Sequence, residues 1–375
     1  MTIRQVDHQN AVGMIIDCHG HYTTAPQQLG DYREAQQDAL RADPGHVGDK
    51  AVLSITDDEL RDSLEGNQLR LQRERDIDLT LFSPRASWMG HHIGNEHTSR
   101  FWTEHCNDLI ARICELYPTN FAPVCQLPQS PGVGVEGSIR ELRRCVDELG
   151  FVGCNLNPDP SGGMWTGPPL FDPYWRPLYE ALCELDVPAM IHVSATCNPN
   201  FHVTSSHYLG ADTTAFVQAM TSGLFRDFPE MRWVIPHGGG AVPYHWGRFK
   251  GMAESARAAD REGGGGDGAD WSLLDELMDN VFFDTCVYHQ AGIDLLVDVV
   301  PTDNILFGSE MLGAVKGLDP DSGHGYDDTK RYLDRADLSA DRRTRIFSGN
   351  VRRVYPRLTV PEPAGSPAPT SREQS

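Results

Sequence analysis

The sequence predicts an α/β fold, a closed (β/α)₈ TIM barrel, on three observations. Eight short apolar runs recur along the chain, each closed by polar or turn residues. Segments with apolar spacing of three and four separate them. Side chains with metal-binding chemistry stand at the C-terminal ends of four runs, and in a barrel all those ends share one mouth.

The runs are MIIDC (14–18), LTLFS (79–83), APVCQL (122–127), FVGCNL (151–156), PAMIHV (188–193), RWVIPH (232–237), VFFDTCV (281–287) and NILFGS (304–309). Continuous apolar runs of this length suit strands buried on both faces. Helices are predicted at 69–76, 103–116, 138–150, 174–186 and 212–225 from their spacing and few internal breakers. Strand and helix alternate, as a parallel sheet requires. The stretch from 22 to 78 reads as an enlarged loop and helix inserted after the first strand. Domain bounds follow: an N-terminal extension at 1–13, the barrel at 14–358 and a disordered tail at 359–375, rich in Pro, Ser and Ala. Four consecutive glycines make 261–270 a flexible surface loop.

Composition excludes several classes. Lys plus Arg is 32 and Asp plus Glu 53, a formal charge of −21 over 375 residues. Nucleic acid and anionic membranes repel such a chain. Mean hydropathy is −0.41 and no apolar run nears a membrane span. No basic stretch followed by an apolar run opens the chain, and its nine scattered Cys form no CxxC pair. A cytoplasmic protein with reduced thiols is expected.

Fifteen histidines are unusual beside 32 Lys plus Arg. The first run ends in Asp17-Cys18-His19-Gly20-His21, the fifth contains His192, the sixth ends in His237 and the eighth in Ser309-Glu310. In His-x-His on an extended chain both imidazoles face one side, and alternation turns Cys18 the other way. Three imidazoles and a carboxylate suit Zn²⁺ or Mn²⁺ with room for water. His91, His92, His97 and His105 read as a surface helix start. His207 lies in the loop after the fifth run. Cys197, in the same loop, is a candidate proton donor near the mouth. Cys106, Cys114, Cys145 and Cys183 read as small packing groups in helices.

The motifs at 16–21, 177–194, 223–244, 304–310 and 346–355 together resemble the amidohydrolase superfamily, in its branch related to aminocarboxymuconate-semialdehyde decarboxylase. The resemblance spans about Met14 to Leu358. It implies a distorted (β/α)₈ barrel, a homo-oligomer, and one divalent metal ion, Zn²⁺ first and Mn²⁺ second, held by His19, His21 and His192 with His237 beside it. Two departures matter. The fourth run ends Cys154-Asn155-Leu156-Asn157, with no lysine to bridge two ions, which favours a single metal. Glu310 stands where most of the branch has Asp. Within the branch, 15–26, 308–315 and 319–330 resemble the 4-oxalomesaconate hydratases, which add water to a carbon–carbon double bond. A small tricarboxylate substrate follows. Glu310 is then metal ligand and proton acceptor, and His237 polarises a carbonyl or moves a proton. Arg85, Asn155, Tyr208 and Lys316 are the substrate-binding candidates, with His324 as a further loop candidate. A decarboxylase, a carbon–carbon hydrolase and a non-catalytic metal-binding barrel remain as alternatives.

Overall fold

A computed structural model describes residues 13–261 and 268–359. Most of the expected N-terminal extension, the expected tail and the core of the glycine loop lie outside the described residues.

Eight parallel strands follow one another around the sheet: β1 (Ile16–Tyr22), β2 (Leu79–Pro84), β3 (Phe121–Gln126), β4 (Gly153–Leu156), β5 (Ala189–Ile191), β6 (Trp233–Ile235), β7 (Val281–Asp284) and β8 (Ile305–Leu306). Two backbone bonds tie the last strand to the first. The Cys18 N–H donates to Phe307 O at 2.8 Å, and the Glu310 N–H to His19 O at 2.8 Å. All eight apolar runs thus became strands. Each is buried on both faces because helices cover the outside and side chains fill the inside.

The inside is filled by one cluster of apolar residues, including Ile16, Leu79, Val124, Val152, Met190, Val234, Phe282 and Leu306. Val351, Val354 and Tyr355 close it at the end away from the mouth. Gly153 fits here because it lacks a side chain. A Cβ on it would lie 2.7 Å from the Tyr355 ring.

The insertion after β1 holds three helices, α1 (Gln27–Ala42), α2 (Asp57–Glu65) and α3 (Gln68–Glu74), rather than a loop and one helix. Thr56 and Glu59 form a capping box that starts α2. The next helix, α4 (Glu96–Leu116), begins earlier than its apolar spacing indicated, because the Asn95 side chain caps it by accepting from the Thr98 N–H. α5 (Glu136–Arg143), α6 (Arg176–Leu185) and α7 (Tyr208–Met220) occupy the other expected helical segments. Among the described residues, no helix is long and apolar enough to cross a membrane.

Two expectations are corrected. Cys18 does not turn away from the histidines. Asp17 pairs with Thr80 and Gly20 with Phe82, so β1 carries one extra residue between those pairs. This bulge breaks the alternation. Cys18 packs in the interior cluster with Ile16 and Leu306. The surface reading holds for His97 but not for His91 and His105, which are 1% and 6% exposed.

Candidate active site

The mouth gathers polar side chains from strands far apart in sequence. His19 and His21 end β1 and His192 follows β5. His19 Nε2 lies 3.0 Å from His21 Nε2, which lies 3.3 Å from His192 Nε2. All three rings are buried.

The outer nitrogens decide what those Nε2 atoms carry. His192 Nδ1 faces the Val193 carbonyl at 2.6 Å, and His21 Nδ1 faces the Pro84 carbonyl at 3.1 Å and Ser83 Oγ at 2.8 Å. His19 Nδ1 faces Asp284 Oδ2 at 2.6 Å. Carbonyls and carboxylates only accept, so each Nδ1 donates its proton outward. Burial, and then neighbouring histidines, hold the pKa values of His21 and His192 well below the ordinary range, so neither ring takes a second proton. Three Nε2 lone pairs therefore converge with no proton between them. A buried cation satisfies such an arrangement, and outward Nδ1–H bonds to carbonyl or carboxylate are the usual support of metal-binding histidine.

His237 and Glu310 complete the set. One ligand atom each from His19, His192, His237 and Glu310 lies within 4.8 Å of the others. His237 thus lies within ligand distance of the site, while His21, in contact with His19 and His192, is outside this four-residue group. Its Nδ1 bonds Asp212 Oδ2 at 2.9 Å, and its Nε2 lies 3.9 Å from Glu310 Oε2. Burial opposes charge on this ring. Asp212, then Glu310 and Asp284, outweigh that and raise its pKa to about 9. An imidazolium has an N–H to give and no lone pair for a metal, which sets His237 apart from the other three.

The chain bends sharply to present both groups. His237 and Glu310 have φ of 52° and 51°, in the left-handed region. Such backbone costs about 1–3 kcal/mol per residue and gathers at functional sites. Three glycines follow His237, also at positive φ.

A second cluster, His19, Asp284 and Cys286, has ligand-type atoms close together. The His19–Asp284 contact of 2.6 Å is a hydrogen bond, so this cluster orients His19. The N–H groups of Gly238 and Cys286 donate to the other Asp284 oxygen at 2.9 and 3.0 Å. Burial alone would raise the Asp284 pKa, but the hydrogen bond from His19 leads the opposing contributions and lowers it to about 2.

A cavity of about 370 Å³ opens over the histidines. His21, Arg85, Tyr208, Glu310 and Lys316 are on its wall. The Arg85 guanidinium lies 4.6 Å over the Trp88 ring, and its Nε donates to Ser87 Oγ at 2.9 Å. The terminal nitrogens remain for an anion. Tyr208 stands edge-on to His192, ring centres 4.9 Å apart. Lys316 is exposed at the rim.

Asn155 is not brought to the cavity wall. Its Nδ2 donates to Ser83 Oγ at 3.1 Å, and Ser83 bonds His21, so Asn155 supports the β1 histidine from behind. The expected substrate contact is corrected to this position, because the Asn155 amide is taken up by Ser83 and does not line the cavity. Cys197 is exposed and its Sγ points to the carbonyls of Ser161 and Gly162. His324 is also exposed, 3.7 Å from Asp328. His207 is buried, with no hydrogen-bond partner at either ring nitrogen among the described residues.

Sequence reasoning missed Asp284, Asp212, Ser83 and Tyr288. Asp284 carried a usable signal, a charged residue closing the apolar run VFFD at a strand's C-terminal end. Asp212 had none, because nothing local places a helical carboxylate beside His237.

Comparison with known proteins agrees with this architecture. Residues 16–357 match the family profile described as Amidohydrolase. The chain is 56% identical over 347 residues to 2-keto-4-carboxy-3-hexenedioate hydratase of Sphingobium sp. strain SYK-6, covering 92% of this chain and 97% of that protein. The crystal structure of 4-oxalomesaconate hydratase from Rhodopseudomonas palustris superposes with a TM-score of 0.81 at 51% identity, covering 92% and 96% of the two chains. Gamma-resorcylate decarboxylase of Rhodococcus jostii strain RHA1 is 30% identical over 224 residues, 56% of this chain and 65% of that protein. The chain belongs to the amidohydrolase family.

Proposed function

We propose that this protein is a hydro-lyase. It adds water to the carbon–carbon double bond of 4-oxalomesaconate, giving 4-carboxy-4-hydroxy-2-oxoadipate in the degradation of protocatechuate and gallate. The observation that carries this reading is the 56% identity to a named hydratase across 97% of its length. The sequence likeness to gamma-resorcylate decarboxylase, 30% identity, covers only 56% of this chain.

The residues fit one divalent ion, Zn²⁺ or Mn²⁺, with His19, His21, His192 and Glu310 as its ligands. When bound, such an ion lowers the pKa of a water molecule from 15.7 towards ~7. Glu310 takes the proton from the attacking water. His237, held by Asp212, gives a hydrogen bond from Nε2 to the substrate carbonyl and draws electron density from the double bond. Water oxygen bonds to one alkene carbon, and the neighbouring carbon receives a proton. Arg85 and Lys316 bind carboxylates of the substrate, and Tyr208 orients it against His192. These cations matter in a chain of charge −21 that must admit a trianion. A cytoplasmic homo-oligomer belongs to the same reading, and light scattering measures its mass.

The test mixes metal-loaded protein with fresh 4-oxalomesaconate and follows ultraviolet absorbance and product mass. Hydration gives a product heavier by one water. Loss of carbon dioxide would replace this reading with a decarboxylase, and two fragments with a carbon–carbon hydrolase. No turnover would leave a binding protein.

A further inference from the structure

Glu310 is gripped by residues that neither the metal chemistry nor the cavity wall accounts for. The Tyr288 hydroxyl lies 2.7 Å from Glu310 Oε2. A carboxylate only accepts, so Tyr288 donates. Tyr288 follows β7 by a few residues and is absent from the cavity lining. Its contact with the site is therefore through Glu310.

The grip has two sides. Gly313 packs so closely on Glu310 that a Cβ there would lie 2.6 Å from Glu310 Cγ. Glu310 thus has one oxygen held by a hydroxyl and the Gly313 backbone close against its side chain. Among the described residues, no hydrogen bond reaches the other oxygen, Oε1. Oε2 is also the oxygen nearest His237 Nε2.

Tyr288 is itself held. The Tyr332 hydroxyl donates to the Tyr288 carbonyl at 3.0 Å, and Arg331 Nη2 donates to the Tyr332 hydroxyl at 2.7 Å. Arg331 also donates to Ser322 Oγ at 2.6 Å and Asp319 Oδ2 at 3.3 Å. Those two residues belong to the loop after β8, whose first part carries Gly313, Ala314 and Lys316 on the cavity wall. One connected set of bonds runs from that loop to the carboxylate.

We propose that Tyr288 is a positioning residue whose hydroxyl holds Glu310 Oε2 and so fixes the carboxylate beside His237 and the metal-binding histidines. This rests on the hydratase reading for its kinetic consequence, but not for its geometry.

Tyr288→Phe keeps the ring and removes only the hydroxyl. Kinetics on 4-oxalomesaconate and the rate at which a chelator strips Zn²⁺ are measured together. Removing a group behind a metal ligand costs about 10–100-fold. The expected result is a kcat lower by that factor with KM unchanged, and faster stripping of Zn²⁺. Gly313→Ala, which pushes on Glu310 from the other side with Tyr288 intact, is expected to lower kcat in the same way. It serves as the second variant if Tyr288→Phe fails to fold. Unchanged kcat would overturn the proposal. So would a raised KM at unchanged kcat, since Tyr288 would then be a substrate contact. If the wild-type protein does not hydrate the acid at all, the hydratase reading falls and the Zn²⁺ stripping rates decide. Faster stripping in Tyr288→Phe then upholds the role of Tyr288, and equal rates refute it.

Discussion

His19 and Asp284 lie 265 positions apart in the chain and meet at 2.6 Å, Nδ1 to Oδ2. The carboxylate holds the proton of His19 on its outer nitrogen and turns the Nε2 lone pair toward His21. Asp284→Asn keeps the shape but removes the charge. Affinity for Zn²⁺ is expected to fall about 10–100-fold. Competition against a coloured chelator measures it, and unchanged affinity would make Asp284 a packing residue.

Removing metal leaves lone pairs facing one another at 3.0 and 3.3 Å. Chelator-treated protein is expected to lose hydration activity and melt at a lower temperature. Zn²⁺ or Mn²⁺ restores both. Binding at 100 times Kd stabilises a fold by about 2.7 kcal/mol. Calorimetry with and without metal reads this directly, and equal Tm values would refute a bound ion.

Arg85 spends its Nε on Ser87 and its ring-facing surface on Trp88, leaving a two-pronged end for a carboxylate. Arg85→Lys retains charge but loses the fork. KM for the tricarboxylate is expected to rise, with a loss of about 1.5–3 kcal/mol, roughly tenfold to a hundredfold. Initial-rate kinetics on the variant checks this.

Two histidines away from the site set an acid limit on stability. Burial first, and then Arg33, lowers the His91 pKa from 6.5 to about 3. Burial first, and then Lys50, lowers that of His105 to about 4. Both stay neutral when folded, so the unfolded chain binds protons first as pH falls below 6.5. Their contribution is complete above that pH and is lost as pH drops towards those lowered values. The slope is about 1 kcal/mol per pH unit for each fully buried group, and less for the more open His105. Urea unfolding at about pH 7, 6 and 5 is expected to show falling stability. His91→Gln flattens the fall.

Gly153→Ala places a methyl 2.7 Å from the Tyr355 ring at the closed end of the barrel. Overpacking of this kind costs about 1–3 kcal/mol. A lower Tm with an unchanged KM is expected, because Tyr355 lies at the end away from the mouth.

The sequence by itself determined the number of strands, their order and the end at which chemistry gathers. Apolar runs closed by polar residues carry that information locally, and a barrel converts eight strand ends into one mouth. His19, His21, His192, His237 and Glu310 were legible for this reason. Only the tertiary structure decided the rest. The bulge in β1 turned Cys18 inward, against strict alternation, because one extra residue changes which face a side chain takes. A hydrogen bond to Ser83, 72 positions away, made Asn155 a support of His21 and not a cavity residue. Asp212, Asp284 and Tyr288 reached their partners through contacts between separate elements, and no local period records a distance across the fold.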